Sequence, residues 1–199
     1  LEELGDPESP RDHRTQRRLE TMRSEIQRIE KIVSSFLQLT RPQQMQRDSV
    51  DASRLVEDVI SRNREAIELE GVNVFFQPMD VPRVAGDASL LHQAVLNLIL
   101  NGCSAMSEGG EIFLRVLEST YRGSSAVVIE VTDTGVGISE EAIPRIFRPY
   151  VSTTEGGTGL GLPTTLRIIR LHGGTILVES EPGQGSRFSI VLPAEGSTQ

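Results

Sequence analysis

Four short signatures, each built on glycine or asparagine, follow one another through the C-terminal half of the chain and restrict its fold more than any other feature. They are Asn97-Leu-Ile-Leu-Asn101-Gly102, Asp133-Thr-Gly135-Val-Gly137, Gly157-Thr158-Gly159-Leu160-Gly161-Leu162 and Gly183-Gln-Gly185-Ser186-Arg-Phe188. Any one alone is weak, because short glycine patterns arise by chance. In this order the four specify a nucleotide pocket.

The charge balance makes such a pocket a problem to be solved locally. The 199 residues carry a formal net charge of −8, which argues against a nucleic-acid binder with its basic face and repels a polyanion. A phosphate site must therefore rely on nearby donors and a metal. The length accommodates one ordinary domain and a smaller element. With no Trp and 4% aromatic residues, the core must be mostly aliphatic. Cys103 is the only cysteine, so no intrachain disulfide forms and a reducing, cytoplasmic setting fits best. No apolar run approaches the roughly 20 residues of a membrane span. The chain begins at Leu1 and reads as a piece of a longer protein, whose parent is open to membrane anchoring elsewhere.

Residues 1–41 read as part of a helical hairpin. Ser9-Pro10-Arg11-Asp12 supplies an N-cap and a proline in the first turn. Leu19, Met22, Ile26, Ile29, Val33 and Phe36 then recur at gaps of three and four, a heptad seam. Pro42 ends it. The seam favours a dimerising hairpin over an ordinary core-facing helix. Residues 42–52 read as a polar linker, and 53–194 as the nucleotide-binding domain. There, Leu55, Val56, Val59, Ile60, Ala66 and Ile67 mark a one-faced helix ending at Gly71. Strands are expected at 72–77, 111–118, 126–132, 175–180 and 186–192, and helices near 87–107 and 159–172. Without regular alternation of strand and helix, the class is α+β: a mixed sheet with helices on one face.

On helix 87–107, with Asp87 as a plausible N-cap, Gln93, Asn97 and Asn101 form a polar stripe at spacing four. A solvated face would explain it; so would a ligand, since a carboxamide oxygen suits Mg²⁺ that shares phosphates. Asp133 stands where a strand enters a turn, and a carboxylate there accepts hydrogen bonds only, which suits an exocyclic amine such as adenine's. The alternative is an ordinary strand-end turn. Gly156 to Leu162 runs into a helix whose first turn offers unpaired N–H groups and about half a positive charge. No Lys-Ser/Thr follows, so it is not a P-loop, and no strand precedes it, so it is not a dinucleotide fingerprint.

Together these residues closely resemble the ATP-binding domain of sensor histidine kinases, in the superfamily that includes gyrase, a class of heat-shock chaperones and the MutL proteins. Asn97-x-x-x-Asn101 resembles the N box, Asp133-x-Gly135-x-Gly137 the G1 box, Phe147-Arg-Pro149-Tyr150 the F box and Gly157 to Gly161 the G2 box. Pro149-Tyr-Val-Ser-Thr-Thr154 is most like the nitrogen-regulation type. The resemblance implies a Bergerat-type fold over about residues 50–193 that binds ATP and Mg²⁺. It implies Asn101 as the Mg²⁺ ligand, Asn97 on the phosphate side, Asp133 on the adenine amine with Gly135 and Gly137 shaping the base pocket, and Ser186 at the same corner. Residues from Tyr150 to Gly161 would form an ATP lid in which Thr158, Gly159, Leu160 and Gly161 close on phosphates. Ser104, Tyr150, Ser152, Thr153 and Gly157 complete the expected contacts. The implied partners are a second copy through the hairpin, a response-regulator receiver domain and the parent's sensor domain.

Position 97 also separates reactions. The superfamily's ATPases carry Glu there to activate water, whereas Asn97 is no general base near neutral pH. Transfer of the γ-phosphoryl to a protein acceptor is therefore the expected reaction, ahead of hydrolysis. Two departures stand out. No histidine precedes an acidic residue: His13 is followed by Arg14, His92 by Gln93 and His172 by Gly173, so the acceptor is expected upstream of Leu1. The lid's usual Lys is replaced by Thr154, which leaves weak γ-phosphate binding, or compensation by Arg148 or a partner residue, as the alternatives. This second departure keeps a non-catalytic nucleotide-binding module in play.

Overall fold

In a computed structural model the chain divides into two compact units, Leu1–Thr40 and Arg41–Gln199. The structure describes residues 45–151 and 158–196, with Arg18, Leu19 and Met22 of the first unit, all three helical. The rest of the seam and its hairpin lie outside the described residues.

The second unit runs β1 (Asp48–Val50), α1 (Ala52–Leu69), β2 (Val72–Phe76), β3 (Val84–Gly86), α2 (Ala88–Ser104), β4 (Gly110–Tyr121), β5 (Ser124–Asp133), a 3₁₀ turn (Ile143–Arg145), α3 (Gly161–Leu171), β6 (Thr175–Ser180) and β7 (Ser186–Pro193). The main sheet has the order β2-β4-β5-β7-β6. β2 and β4 are parallel; every other pairing in it is antiparallel. Parallel neighbours need a crossover, and the one from β2 to β4 carries α2.

Strand alternation decides which face the helices cover. Ile112, Leu114 and Val116 of β4, Val127, Ile129 and Val131 of β5, and Phe188, Ile190 and Leu192 of β7 are buried. They join Val56 and Val59 of α1, Leu91, Ala94, Val95, Leu98 and Ile99 of α2, and Ile168 and Ile169 of α3 in one mostly aliphatic cluster. The β4 residues between them face outward. Phe75 and Phe113, opposite one another in the β2–β4 register, stack on that open side with centroids 5.1 Å apart. The α+β class, the mixed sheet and its one-sided helical cover are as the sequence implies.

The differences lie at the margins. The stretch 42–52, read as a linker, contains β1, which pairs antiparallel with β3 and leads into Asp51, the N-cap of α1. The helix expected to reach residue 107 stops at Ser104, because the carbonyl of Ala105 accepts the Val136 N–H at 3.1 Å and the chain turns away. Strands β4 and β5 extend to a tight hairpin at Arg122 and Gly123, both with positive φ.

Candidate nucleotide site

α2 starts where Asp87 Oδ1 accepts the N–H groups of Ser89 and Leu90, at 3.0 and 3.2 Å. Its last turns run against the end of β5. A methyl group at Gly102 would sit 3.2 Å from Asp133 Cβ and 3.1 Å from Ile112 Cδ1, so glycine is what lets the helix come this close. Asn101 is thereby held beside the strand end that bears Asp133.

Asp133 is 3% exposed. Its Oδ1 accepts the Gly135 N–H at 2.9 Å, an Asx-type turn, and the Ser186 N–H at 3.2 Å. The Ser186 hydroxyl also hydrogen-bonds the carboxyl group. Burial pushes the Asp133 carboxyl up, and these three donors oppose it. The loop after Asp133 lies against the β6–β7 turn, backbone to backbone: Gly183 N–H donates to the Val136 carbonyl at 2.8 Å. Two glycines make that packing possible. A Cβ at Gly137 (φ 69°) would collide with the Glu181 carbonyl, and one at Gly185 (φ 81°) with the Asp133 carbonyl.

Asn97, one turn before Asn101, donates through Nδ2 to the Gly161 carbonyl at 3.2 Å and to Thr165 Oγ1 at 3.3 Å. Thr165 in turn donates to the Gly161 carbonyl at 3.0 Å. The polar stripe of α2 is thus tied to the first turn of α3. That turn has no side-chain cap, and Pro163 has no N–H to satisfy. The amides of Gly161 and Leu162 are free of an intrahelical partner by position and suit an anion. Asn101, one turn further along the same stripe, is half-buried, and a carboxamide oxygen is of the type that suits a hard cation. Among the described residues there is no cluster of three His, Cys, Asp or Glu that could hold a metal ion.

The other anticipated residues fall as follows. Gly135, Gly137 and Ser186 surround Asp133. Gly159, Leu160 and Gly161 lead into α3, and the Gly159 carbonyl accepts the Tyr150 N–H at 3.1 Å. Leu160 is buried, Thr158 half-buried, and the Tyr150 ring is 65% exposed. Ser104 donates its hydroxyl to the Leu100 carbonyl of its own helix at 2.9 Å. Ser152, Thr153 and Gly157 lie outside the described residues. Sequence reasoning missed Thr165 and Ser180. A threonine four residues after Gly161 places its hydroxyl back on that carbonyl, which is a readable signal; nothing local marks Ser180. A cavity of about 560 Å³ at β1 and α1 is lined by Asp48, Asp51, Glu57 and Asp58 and carries the wrong charge for a triphosphate.

Of the three histidines, His172 is buried and uses both ring nitrogens: Nδ1–H donates to the Ile168 carbonyl at 2.7 Å, and Nε2 accepts the Asp87 N–H at 2.9 Å. It caps α3, as expected. His92 Nε2 is buried. His13 is outside the described residues.

Residues 86–196 match the family described as histidine kinase-, DNA gyrase B- and HSP90-like ATPase. Sporulation kinase C of Bacillus subtilis (strain 168) is 36% identical over 177 residues, which span 88% of this chain and 40% of that protein. The chain therefore covers well under half of this relative. Full-length ShkA in complex with AMPPNP superposes with a TM-score of 0.75 at 25% identity, over 90% of this chain and 38% of that one. Histidine kinase ThkA in complex with the response regulator TrrA superposes with a TM-score of 0.74 at 26% identity, over 96% and 53%.

Proposed function

The chain belongs to the histidine kinase-, DNA gyrase B- and HSP90-like ATPase family, and from that premise we propose that it binds Mg-ATP for γ-phosphoryl transfer to a histidine of a longer parent sensor kinase. One observation carries the reading: the four signatures meet at one wall, Gly102 against Asp133, Asn97 on Gly161 and Ser186 on Asp133.

In this reading Asp133 accepts the adenine amine, and the glycine-lined loop to Gly137 lies along the base. The phosphates take the free amides at the start of α3, which provide a local positive end in a chain whose net charge is −8. Asn101 supplies a carboxamide oxygen to Mg²⁺, whose chemistry is to neutralise charge on the phosphate oxygens. Asn97 is held by Gly161 and Thr165 and cannot take a proton from water, so the site favours transfer over hydrolysis. The acceptor belongs elsewhere in the parent. His172 has both nitrogens occupied, and neither His13 nor His92 stands before an acidic residue.

The resemblance to a kinase solved with its response regulator supports a receiver domain as the next phosphate acceptor. Dimerisation through residues 1–41, contact with the parent's sensor domain and a cytoplasmic setting complete the proposal; no described helix is long and apolar enough to cross a membrane. Thr154 at the lid position usually held by Lys favours a second reading, a nucleotide-binding module without transfer.

Calorimetric titration with a non-hydrolysable ATP analogue, with and without Mg²⁺, tests binding. Supplied with a separate helix that carries a histidine followed by an acidic residue, this chain should then yield ATP-dependent phosphohistidine. Binding without any phosphohistidine on the supplied helix would favour the second reading, and steady phosphate release without an acceptor would favour a hydrolysing ATPase.

A further inference from the structure

We infer that Ser180, the last residue of β6, is a positioning residue for base selection: its hydroxyl orients Ser186 and, through it, the carboxylate of Asp133. The inference rests on the reading of Asp133 as the acceptor of the purine amine.

Ser180 belongs to none of the four signatures, yet its Oγ ties the β6–β7 turn to the loop that follows β5. It accepts the Ile138 N–H at 2.8 Å, at the far end of the loop that begins with Asp133. It lies 2.8 Å from the Gly185 carbonyl and 3.0 Å from Ser186 Oγ. Ser186 Oγ hydrogen-bonds Asp133. The direction of this chain follows from counting hydrogens. A carboxylate only accepts, and a serine hydroxyl has one hydrogen, so Ser186 gives its hydrogen to Asp133. Ser186 Oγ can then only accept from Ser180, whose hydrogen faces both it and the Gly185 carbonyl. The sense runs from Ile138 N–H through Ser180 and Ser186 to Asp133.

Two consequences follow for the ligand. The carboxylate is held by Gly135 N–H, Ser186 N–H and the Ser186 hydroxyl, so it cannot turn without losing donors in a buried place. The Ile138 bond sets how closely the loop from Gly135 to Gly137 approaches the β6–β7 turn, and hence the width of the slot beside Asp133. A hydroxyl that merely satisfied a backbone N–H would affect stability alone. One that aims Asp133 must affect the choice of base.

ADP and IDP separate these cases, because hypoxanthine carries a carbonyl where adenine carries the amine and cannot donate to Asp133. Both are titrated calorimetrically into the chain and into its Ser180→Ala and Ser180→Thr variants, with Mg²⁺ present. Ser180→Ala should weaken ADP about five- to tenfold and IDP by less than about twofold, with Ser180→Thr close to wild type. Ser180→Cys, with a weak donor in place of the hydroxyl, gives the same comparison if the alanine variant does not fold. Equal weakening of both nucleotides, or an unchanged ratio, overturns the inference while leaving Asp133 in place. No preference for ADP in the wild-type chain would overturn the assignment of Asp133, and this inference with it.

Discussion

Replacing Asp133 by asparagine isolates its contribution to base recognition with little damage to the fold. Asp133 Oδ1 accepts two backbone amides, from Gly135 and Ser186, at 2.9 and 3.2 Å. Alanine would strand both, at about 1–3 kcal/mol each, and confuse folding with binding. Asparagine keeps an oxygen for them. Its NH₂ replaces the second oxygen, and the Ser186 hydroxyl can rotate to accept from it. Adenine has no such freedom, and its amine would meet a donor. A hydrogen bond to a charged acceptor contributes about 1.5–3 kcal/mol, so ADP affinity should fall about 10- to 150-fold. Burial disfavours the Asp133 carboxylate, so the unliganded Asp133→Asn variant should melt no lower than wild type. Titration calorimetry and thermal melts with and without ADP measure both quantities. A folded Asp133→Asn variant that binds ADP within about twofold of wild type refutes the assignment.

Asn101→Ala should leave ADP binding without metal nearly unchanged and abolish the gain on adding Mg²⁺; a retained gain places the ion elsewhere. Thr165→Val keeps shape but removes an acceptor for Asn97, so it should cost about 1 kcal/mol of stability by denaturant titration, with Thr165→Ser restoring it; no cost means the contact is incidental. His172 must be neutral for Nε2 to accept the Asp87 N–H, and burial lowers its pKa below the usual 6.5, with the Ile168 carbonyl and Asp87 opposing and Arg47 reinforcing. A group depressed in the folded state takes up its proton more readily when unfolded, so this stabilisation is complete above about pH 6.5 and is lost as pH falls below it. Melts from about pH 7.5 down to about 5.5 should decline less steeply in His172→Gln than in wild type; equal slopes contradict the argument.

Long elements were legible because their patterns repeat. β5 and β7 alternate or run β-branched along most of their length, and α2 shows both a cap at Asp87 and an apolar stripe. The β1–β3 pairing was not, since three residues a side carry no period and the partners, Ser49 against Ala85, stand far apart in the chain. The end of α2 was overestimated because a distant loop, at Val136, donates to the Ala105 carbonyl. Asp133 and Asn101 stood out by residue type. The groups that aim Asp133 and hold Asn97, Ser180 and Thr165, are hydroxyls whose significance exists only once the β6–β7 turn and α3 have folded onto them. His172 was read as a helix cap, but its bond across to Asp87 joins positions 85 apart, beyond any local pattern.

The central claim is that α2, the end of β5 and the start of α3 bind one nucleotide together. Backbone and Asn side-chain amide NMR spectra recorded during titration with Mg-AMPPNP test it most directly. Saturable shifts with one common dissociation constant should appear at Gly135, Gly137, Gly161, Leu162 and the Asn101 carboxamide. Shifts confined to the open sheet face at Phe75 and Phe113, or to the acidic cavity beside Asp51 and Asp58, would contradict it.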